Sequence, residues 1–494
     1  MAGLWLYALA VSVGASLAPS SFAQTFNENL NWCNGDPNPD VQISGCTQAI
    51  ESAPLDDVTT SNLLTNRGAA WARKGNPDAA LVDYNAALTI NPGNAAAYYN
   101  RAMAWATKKD YQRSIADHTF AIRIAPEFSA AYRERGFARA SLRDFDGAIS
   151  DYGAAIRLNP KDSAPYNDRG LAWLEKNDVD RAIEDFTAAI QRDPSDPLPY
   201  RNRGGALQTQ GQLDRSVADH DEAIRLKPNL ALSYAYRGAV LREKGELDRA
   251  LADQETAIRL QPNLGLAFYH RGNIWYDKVQ LDRAIDDYDI ALVLQPNIPD
   301  AYVNRGLSLQ QKGNLESALT DYEKAIRLRP DSLLAHDNRA RLKFELGLFD
   351  EAVSGFAKAI ELSKANRYIK VDPYLLILAD LANRRAGAVA SSGLRSTASS
   401  MNLAQWPGPI VRLLIGEWSA DQVMNAARDR DSVKAADQTC EAVFYIGQLE
   451  LLAGRQPAAV SAFREAARTC PKRFLEYGSA VAELRRMGET PPVR

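Results

Sequence analysis

Histidine and cysteine are scarce: the 494 residues hold four of each. That leaves little material for a metal site, and neither grouping of cysteines has the spacing of zinc ligands. No glycine-rich phosphate loop, serine nucleophile elbow or metal-spaced cluster occurs in the chain, so the motifs that announce nucleotide or hydrolytic chemistry are missing. An excess of basic charge is also missing, since 58 Lys and Arg stand against 61 Asp and Glu for a formal net charge of −3. Nucleic-acid binders carry a basic stripe, so no nucleic-acid partner is expected. Beyond residue 23 no stretch is apolar enough to cross a bilayer. The expectation is a chain without cofactor, metal or catalytic constellation, not an enzyme, whose work is binding.

The first 23 residues differ from the rest. Gly3 to Ala18 is almost unbroken apolar sequence, and Ser21 and Ala23 are small residues at −3 and −1 of a cut before Gln24. This reads as a secretory signal over 1–23, which places the mature chain in the periplasm or outside the cell, with no membrane span once the signal is removed. The cysteines fit that compartment. Cys33 and Cys46 form one local group in 24–60, and Cys440 and Cys470 form another near the C-terminus. An even count in two local pairs, in an exported chain, suggests two disulfides.

What the chain has in abundance is periodicity. Pro92, Pro126, Pro160, Pro194, Pro228, Pro262, Pro296 and Pro330 stand 34 residues apart without a gap. With proline as position 32, nine units run over 61–366. Position 8 is Gly or Ala, as in Gly68, Ala102 and Gly136, and position 20 is Ala or Ser. Position 27 is always Ala, from Ala87 to Ala359, and position 24 is mostly aromatic, as in Tyr84, Tyr152 and Phe186. Small residues let two antiparallel helices approach, the aromatic fills the space between neighbours, and the proline ends each second helix. These residues resemble the tetratricopeptide repeat, whose period is 34. The resemblance implies an all-α fold, a right-handed superhelical solenoid of antiparallel helix pairs. Lys364 stands where the ninth proline would be, which marks the end of the regular stack.

One recurrent pair invites a physical reading. Position 7 is Arg in all nine units, from Arg67 to Arg339, and position 23 is Asp in eight, from Asp83 to Asp321. The two positions lie at similar heights on facing helices, so a ladder of Arg–Asp ion pairs is expected, fixing register more than adding stability. The ninth unit has Gly355 in place of Asp, so Arg339 is expected to lack this partner.

After residue 366 the phase is lost, and 367–439 reads as an irregular helical segment. A tenth unit reappears over 440–473, with Gly447, Ala459, Phe463, Ala466 and Pro471 in phase. Cys440 is placed at the opening of its first helix and Cys470 at the close of its second, ends that meet in a hairpin. Residues 474–494 supply a capping helix and tail. The stretches Pro373–Ala379, Gln405-Trp406, Ile410-Val411, Phe444-Tyr445-Ile446-Gly447 and Phe474-Leu475-Glu476-Tyr477 resemble the C-terminal part of NlpI-type periplasmic tetratricopeptide lipoproteins. That resemblance implies an adaptor that docks peptidoglycan hydrolases and a processing protease. The chain departs from it in lacking an acylated N-terminal cysteine and in its longer array.

In the repeat family, positions 5, 9 and 12 of each first helix face the concave side. Here they include Tyr99, Met103, Arg133, Phe137, Asn167, Leu171, Arg201, Arg242, Tyr269, Asn273, Tyr276 and Arg341. This mixture of aromatic, aliphatic and Arg side chains suits a protein or peptide partner. His118 and His220 take the aromatic position 24, His270 is position 6 and His336 position 4, so packing accounts for all four. The functional expectation is an exported scaffold for protein–protein contacts in the cell envelope, extending to recruitment of peptidoglycan hydrolases or a protease. The alternative is a binding module of a polysaccharide-export or secretion system.

Overall fold

In the computed structural model of the chain, each 34-residue period folds as two antiparallel helices, in most periods the first over positions 1–13 and the second over 17–30, as in Ala95–Thr107 and Tyr111–Ile124. The structure describes residues 20–52, 54–365, 370–388, 392–399, 401–472 and 474–492. Most of the expected signal segment, residues 1–19, lies outside them. Among the described residues all regular secondary structure is helical, and no helix is long and apolar enough to cross a membrane. The chain divides into two compact units, Met1–Lys244 and Gly245–Arg494.

Local chemistry sets the helix ends. Asn76, Asp110, Asp144 and Asp178, all at position 16, accept from the backbone N–H three residues on and so cap the second helix. The residue before the cap turns left-handed. Five repeats use glycine there, at Gly75, Gly211, Gly245, Gly313 and Gly347, and four use Lys109, Arg143, Asn177 or Val279. A β-branched residue is poorly suited to this region, yet Val279 sits at φ 58° with its side chain 68% exposed, giving no packing in return. Val279→Gly is therefore expected to stabilise the chain by about 1 kcal/mol, read as a higher denaturant midpoint. An unchanged midpoint would mean that the turn tolerates valine.

Close approach of the two helices explains the small residues. A Cβ on Gly170 would fall 2.6 Å from the Phe186 ring, and one on Gly306 would fall 2.7 Å from Tyr322. The ninth repeat reverses the arrangement. Ala340 supplies the Cβ, and one added to Gly355 would meet it at 2.8 Å. Ala340 and Gly355 thus pack closely where most repeats have Gly and Asp.

Arg–Asp pairs close within repeats, seven of them being Arg67–Asp83, Arg101–Asp117, Arg135–Asp151, Arg169–Asp185, Arg203–Asp219, Arg271–Asp287 and Arg305–Asp321, each at 2.6–2.7 Å. In each of the seven, Nε and Nη2 together grip both carboxylate oxygens, as in Arg169 with Asp185 at 2.8 and 2.7 Å. Hydrogen bonding to Asp117 holds Arg101's pKa above its ordinary value, against the cost of burial. The same guanidinium reaches the preceding repeat: Arg101 donates to Asn85, Arg135 to Thr119 and Arg203 to Thr187. Arg237 pairs with Asp221 at 2.6 Å. From the second repeat to the eighth the arginine also lies over the position-4 ring of its own helix, as Arg101 over Tyr98 at 5.4 Å. The ladder therefore joins helices within a repeat and repeats to one another. Arg339, opposite Gly355, has an Nε without a hydrogen-bond partner.

Sequence exceptions at position 11 carry their own compensation. Trp105 and Trp173 lie under Arg113 and Arg181, each at 4.5 Å. In the third repeat glycine replaces that cation, and Arg139 takes the place of the tryptophan and donates to Asp151 at 2.8 Å. In the ninth, Lys343 pairs with Glu351 at 2.6 Å.

Both ends of the array are closed by covalent hairpins. Ser20–Gly35 and Pro39–Ser52 pack as a helix pair bridged by Cys33–Cys46. Ser432–Leu452 and Gln456–Thr469 form the last pair, bridged by Cys440–Cys470. Cys440 does not open its helix, as the sequence suggested. The helix starts at Ser432, where Asp431 caps the N–H groups of Val433 and Lys434. Lys364 in place of proline lets the ninth repeat's second helix run on to Ala365, 17 residues against 14 in its neighbour Leu315–Leu328. Between these elements lie helices Pro373–Arg385, Ser392–Ala398, Gly408–Leu414 and Ala420–Ala426; apolar residues of the first three join Phe344, Phe356, Phe444 and Phe463 in one core, and Val423 of the fourth packs with Leu413 and Ala442. The peptide Trp406-Pro407 is cis.

Candidate binding surface

The first-helix side chains expected to meet a partner divide by what the next repeat does to them. In the N-terminal unit Tyr99 is buried, against Phe128 at 4.8 Å and His118 at 5.4 Å. It belongs to the packing between repeats and not to a groove. Arg133 pairs with Asp168 of the following repeat at 2.7 Å, and Asn167 accepts from Asn202 at 2.8 Å. Arg201 faces no such carboxylate. It donates to Asn202 Oδ1 at 3.0 Å, and burial pulls its pKa down, only partly offset by Tyr236 and Asp196. Met103 and Arg242 are half-buried. Phe137 and Leu171, position 9 of consecutive repeats, remain 49% and 42% exposed.

In the C-terminal unit Asn273 is buried and accepts from Tyr288 and Asn304, each at 2.8 Å. Like Tyr99 it is withdrawn from a partner. Tyr269 is half-buried beside His270. Tyr276 accepts from Gln311 at 2.6 Å, and Gln310 donates to Glu345 at 2.8 Å. Arg341 is gripped by both oxygens of Asp337 at 2.9 Å and reaches Asp372 at 3.4 Å. A rule unseen in the sequence joins most of these contacts: positions 5 and 12 of one first helix bond to positions 6 and 13 of the next, and Asn273, at position 9, also reaches position 6.

Tyr276 and Arg341 come together at a feature that the repeat pattern does not contain. The helix Leu475–Arg486 lies against Leu333–Glu345, where Arg486 donates to the Glu345 carbonyl at 2.7 Å. Between them is a cavity of about 480 Å³ whose walls include Tyr276, Asp337, Asn338, Arg341, Tyr477 and Arg485. Buried carboxyls hold the tail in place. Glu483 pairs with Arg385 and Arg486. Tyr445 donates to Glu476 at 3.0 Å, and Tyr374 and Trp406 both donate to Glu441, at 2.6 and 2.8 Å. Burial, then the charge of Glu441, pushes Glu476 up to about 7. Buried His118 and His220 are pushed down to about 3, first by burial and then by neighbouring arginines, and their nitrogens have no hydrogen-bond partners. They serve as packing. Sequence reasoning passed over Asn338 and the tail's Arg485. The available signal was Val303, an apolar residue at a position whose polar occupants elsewhere pair with position 6.

Family models described as tetratricopeptide repeat match residues 66–126, 130–197 and 237–302 and, separately, 299–332. No curated protein matches the chain. Among solved structures, a tetratricopeptide repeat protein from Parabacteroides merdae is 19% identical, covering 51% of this chain and 99% of its own, with a TM-score of 0.44. The Cut9–Hcn1 hetero-tetramer of the APC/C is 13% identical over 73% of this chain and 87% of the other, with a TM-score of 0.47. YrrB, described as having an unusual peptide-binding site, is 25% identical over 37% of this chain and 95% of its own, with a TM-score of 0.28. Helix pairs in unbroken 34-residue phase, matched by those family models, make this chain a tetratricopeptide-repeat protein.

Proposed function

We propose that the protein is an exported adaptor that holds partner proteins in the cell envelope, among them peptidoglycan hydrolases or a protease. The observation that carries the binding role is the pair Phe137 and Leu171, large apolar side chains left exposed at equivalent places on consecutive first helices. Such anchors suit a protein segment. Export is supported by the apolar segment ending in Ser21-Phe22-Ala23 and by the bridging of Cys33 to Cys46 and Cys440 to Cys470, since disulfides persist in oxidising compartments. The resemblance of the tail to NlpI-type proteins supports the choice of partners. By holding two partners at once, a scaffold raises their effective concentration without chemistry of its own.

A photoreactive residue at Phe137, followed by identification of whatever it captures in living cells, tests the proposal. Cell-wall hydrolases or a protease are expected. Capture of transport components alone would favour a polysaccharide-export or secretion module instead. Sequencing the mature N-terminus tests export: a start at Gln24 is expected, and an intact Met1 on cytosolic protein would overturn the compartment.

A further inference from the structure

Asn338 has lost the partner that its counterparts keep. At the same repeat position Asn202 donates to Asn167 and Asn304 to Asn273, each at 2.8 Å. In the eighth repeat the corresponding acceptors are replaced by Val303 and Leu307. Asn338 is only 8% exposed, and its Nδ2 has no hydrogen-bond partner among the described residues. A buried donor left unmade is costly, and this one lines the cavity beside the tail helix. Among the cations of the lining, Lys312 pairs with Asp282, and Arg341 with Asp337 and Asp372. Arg485 is exposed and forms no ion pair among the described residues. Leu307, Leu475 and Val481 give the cavity an apolar side.

We propose that this cavity takes an extended segment of a partner protein in which acidic residues alternate with apolar ones. A main-chain carbonyl of the segment accepts from Asn338 Nδ2, a carboxylate pairs with Arg485 at the rim, and an apolar side chain covers the leucine wall. The proposal rests on the reading of the chain as a protein-binding scaffold, and adds where the segment sits and what chemistry it carries. The tail helix is a wall of the site, so the site belongs to this chain's particular ending and not to repeats in general.

The probe is a fluorescein-labelled heptapeptide, Gly-Leu-Asp-Leu-Glu-Leu-Gly with blocked ends, titrated with the full chain by fluorescence anisotropy beside its Asn/Gln isostere. The acidic peptide is expected to bind at least about tenfold more tightly than the isostere, and Arg485→Glu to remove that preference. Asn338→Ala is expected to weaken binding by about five- to tenfold while the unfolding midpoint holds or rises, because an unmet donor has been deleted. Equal affinity for the two peptides, no binding by the wild-type chain, or full affinity in Asn338→Ala would overturn the proposal. So would a lowered midpoint in Asn338→Ala, which would mark the amide as structural. Partners still captured from Phe137 when the peptide fails would leave the adaptor reading standing and remove only this site.

Discussion

Asp151→Ala is expected to destabilise the N-terminal unit by about 3 kcal/mol, the lower end for breaking a buried ion pair by removing one partner. Asp151 is the most heavily used carboxylate of the ladder. It takes Nε and Nη2 of Arg135 at 2.9 and 2.7 Å and Nη1 of Arg139 at 2.8 Å, and its side chain is only 4% exposed. Alanine would leave two guanidiniums without their acceptor in a half-buried setting. Asp185, which serves Arg169 alone, is expected to cost less when replaced in the same way. The last repeat supplies the control, because Ile446 and Ala462 stand at these two positions. Arg135→Ile combined with Asp151→Ala should therefore recover part of the loss. Chemical unfolding of the four chains in a double-mutant cycle measures the coupling. Additive losses would show that the ladder is solvated decoration and not a device for register.

The sequence exposes this ladder, and the hairpins that carry it, because both repeat locally. Arg101 and Asp117 are 16 residues apart, and so is every later pair, so a single period reveals them all. The faces presented to partners obey a longer rule. Tyr99 and Asn273 occupy positions that face outward in a lone repeat, but the next first helix covers them. Whether they are covered depends on residues at or beyond the end of their own repeat, Phe128 for Tyr99 and Asn304 for Asn273, which a comparison of like positions in a pattern of 34 hides. The exchange of Trp–Arg for Arg139 and Gly147, or of Gly–Asp for Ala340 and Gly355, looks like decay of the pattern in the sequence. In three dimensions the two members of each exchange lie against each other. The tail was the least legible. Its phase gave the final hairpin, but the start of that hairpin at Ser432 depends on a cap by Asp431. The seating of Leu475–Arg486 depends on buried carboxyls that resemble ordinary surface charge in the sequence.

Those carboxyls lead to a pH dependence confined to the C-terminal unit. Glu476 is pushed from 4.5 to about 7, by burial first and by Glu441 second, with Tyr445 and Arg341 acting in the opposite direction. Its folded pKa lies above the unfolded one, so the folded chain holds the extra proton between the two values. The stability tied to that proton is complete below pH 4.5 and is lost as pH rises through 7. A shift of this size corresponds to roughly 3 kcal/mol. Glu476→Gln keeps the shape, still accepts from the Tyr445 hydroxyl and cannot ionise. It is expected to match the wild type at pH 4.5 and to exceed it by up to roughly 3 kcal/mol at pH 8. Glu441, Asp337 and Glu345, which burial also pushes upward, titrate in both chains, so the difference between the chains reports Glu476 together with its coupling to Glu441. Because repeat arrays need not unfold in one step, amide exchange within Leu475–Arg486 is the measurement of choice. Protection there should fall from pH 5 to pH 8 in the wild type, after correction for the intrinsic rate, and should fall less in Glu476→Gln. Equal pH profiles for the two chains would mean that water reaches Glu476 and that the tail helix is not clamped through this group.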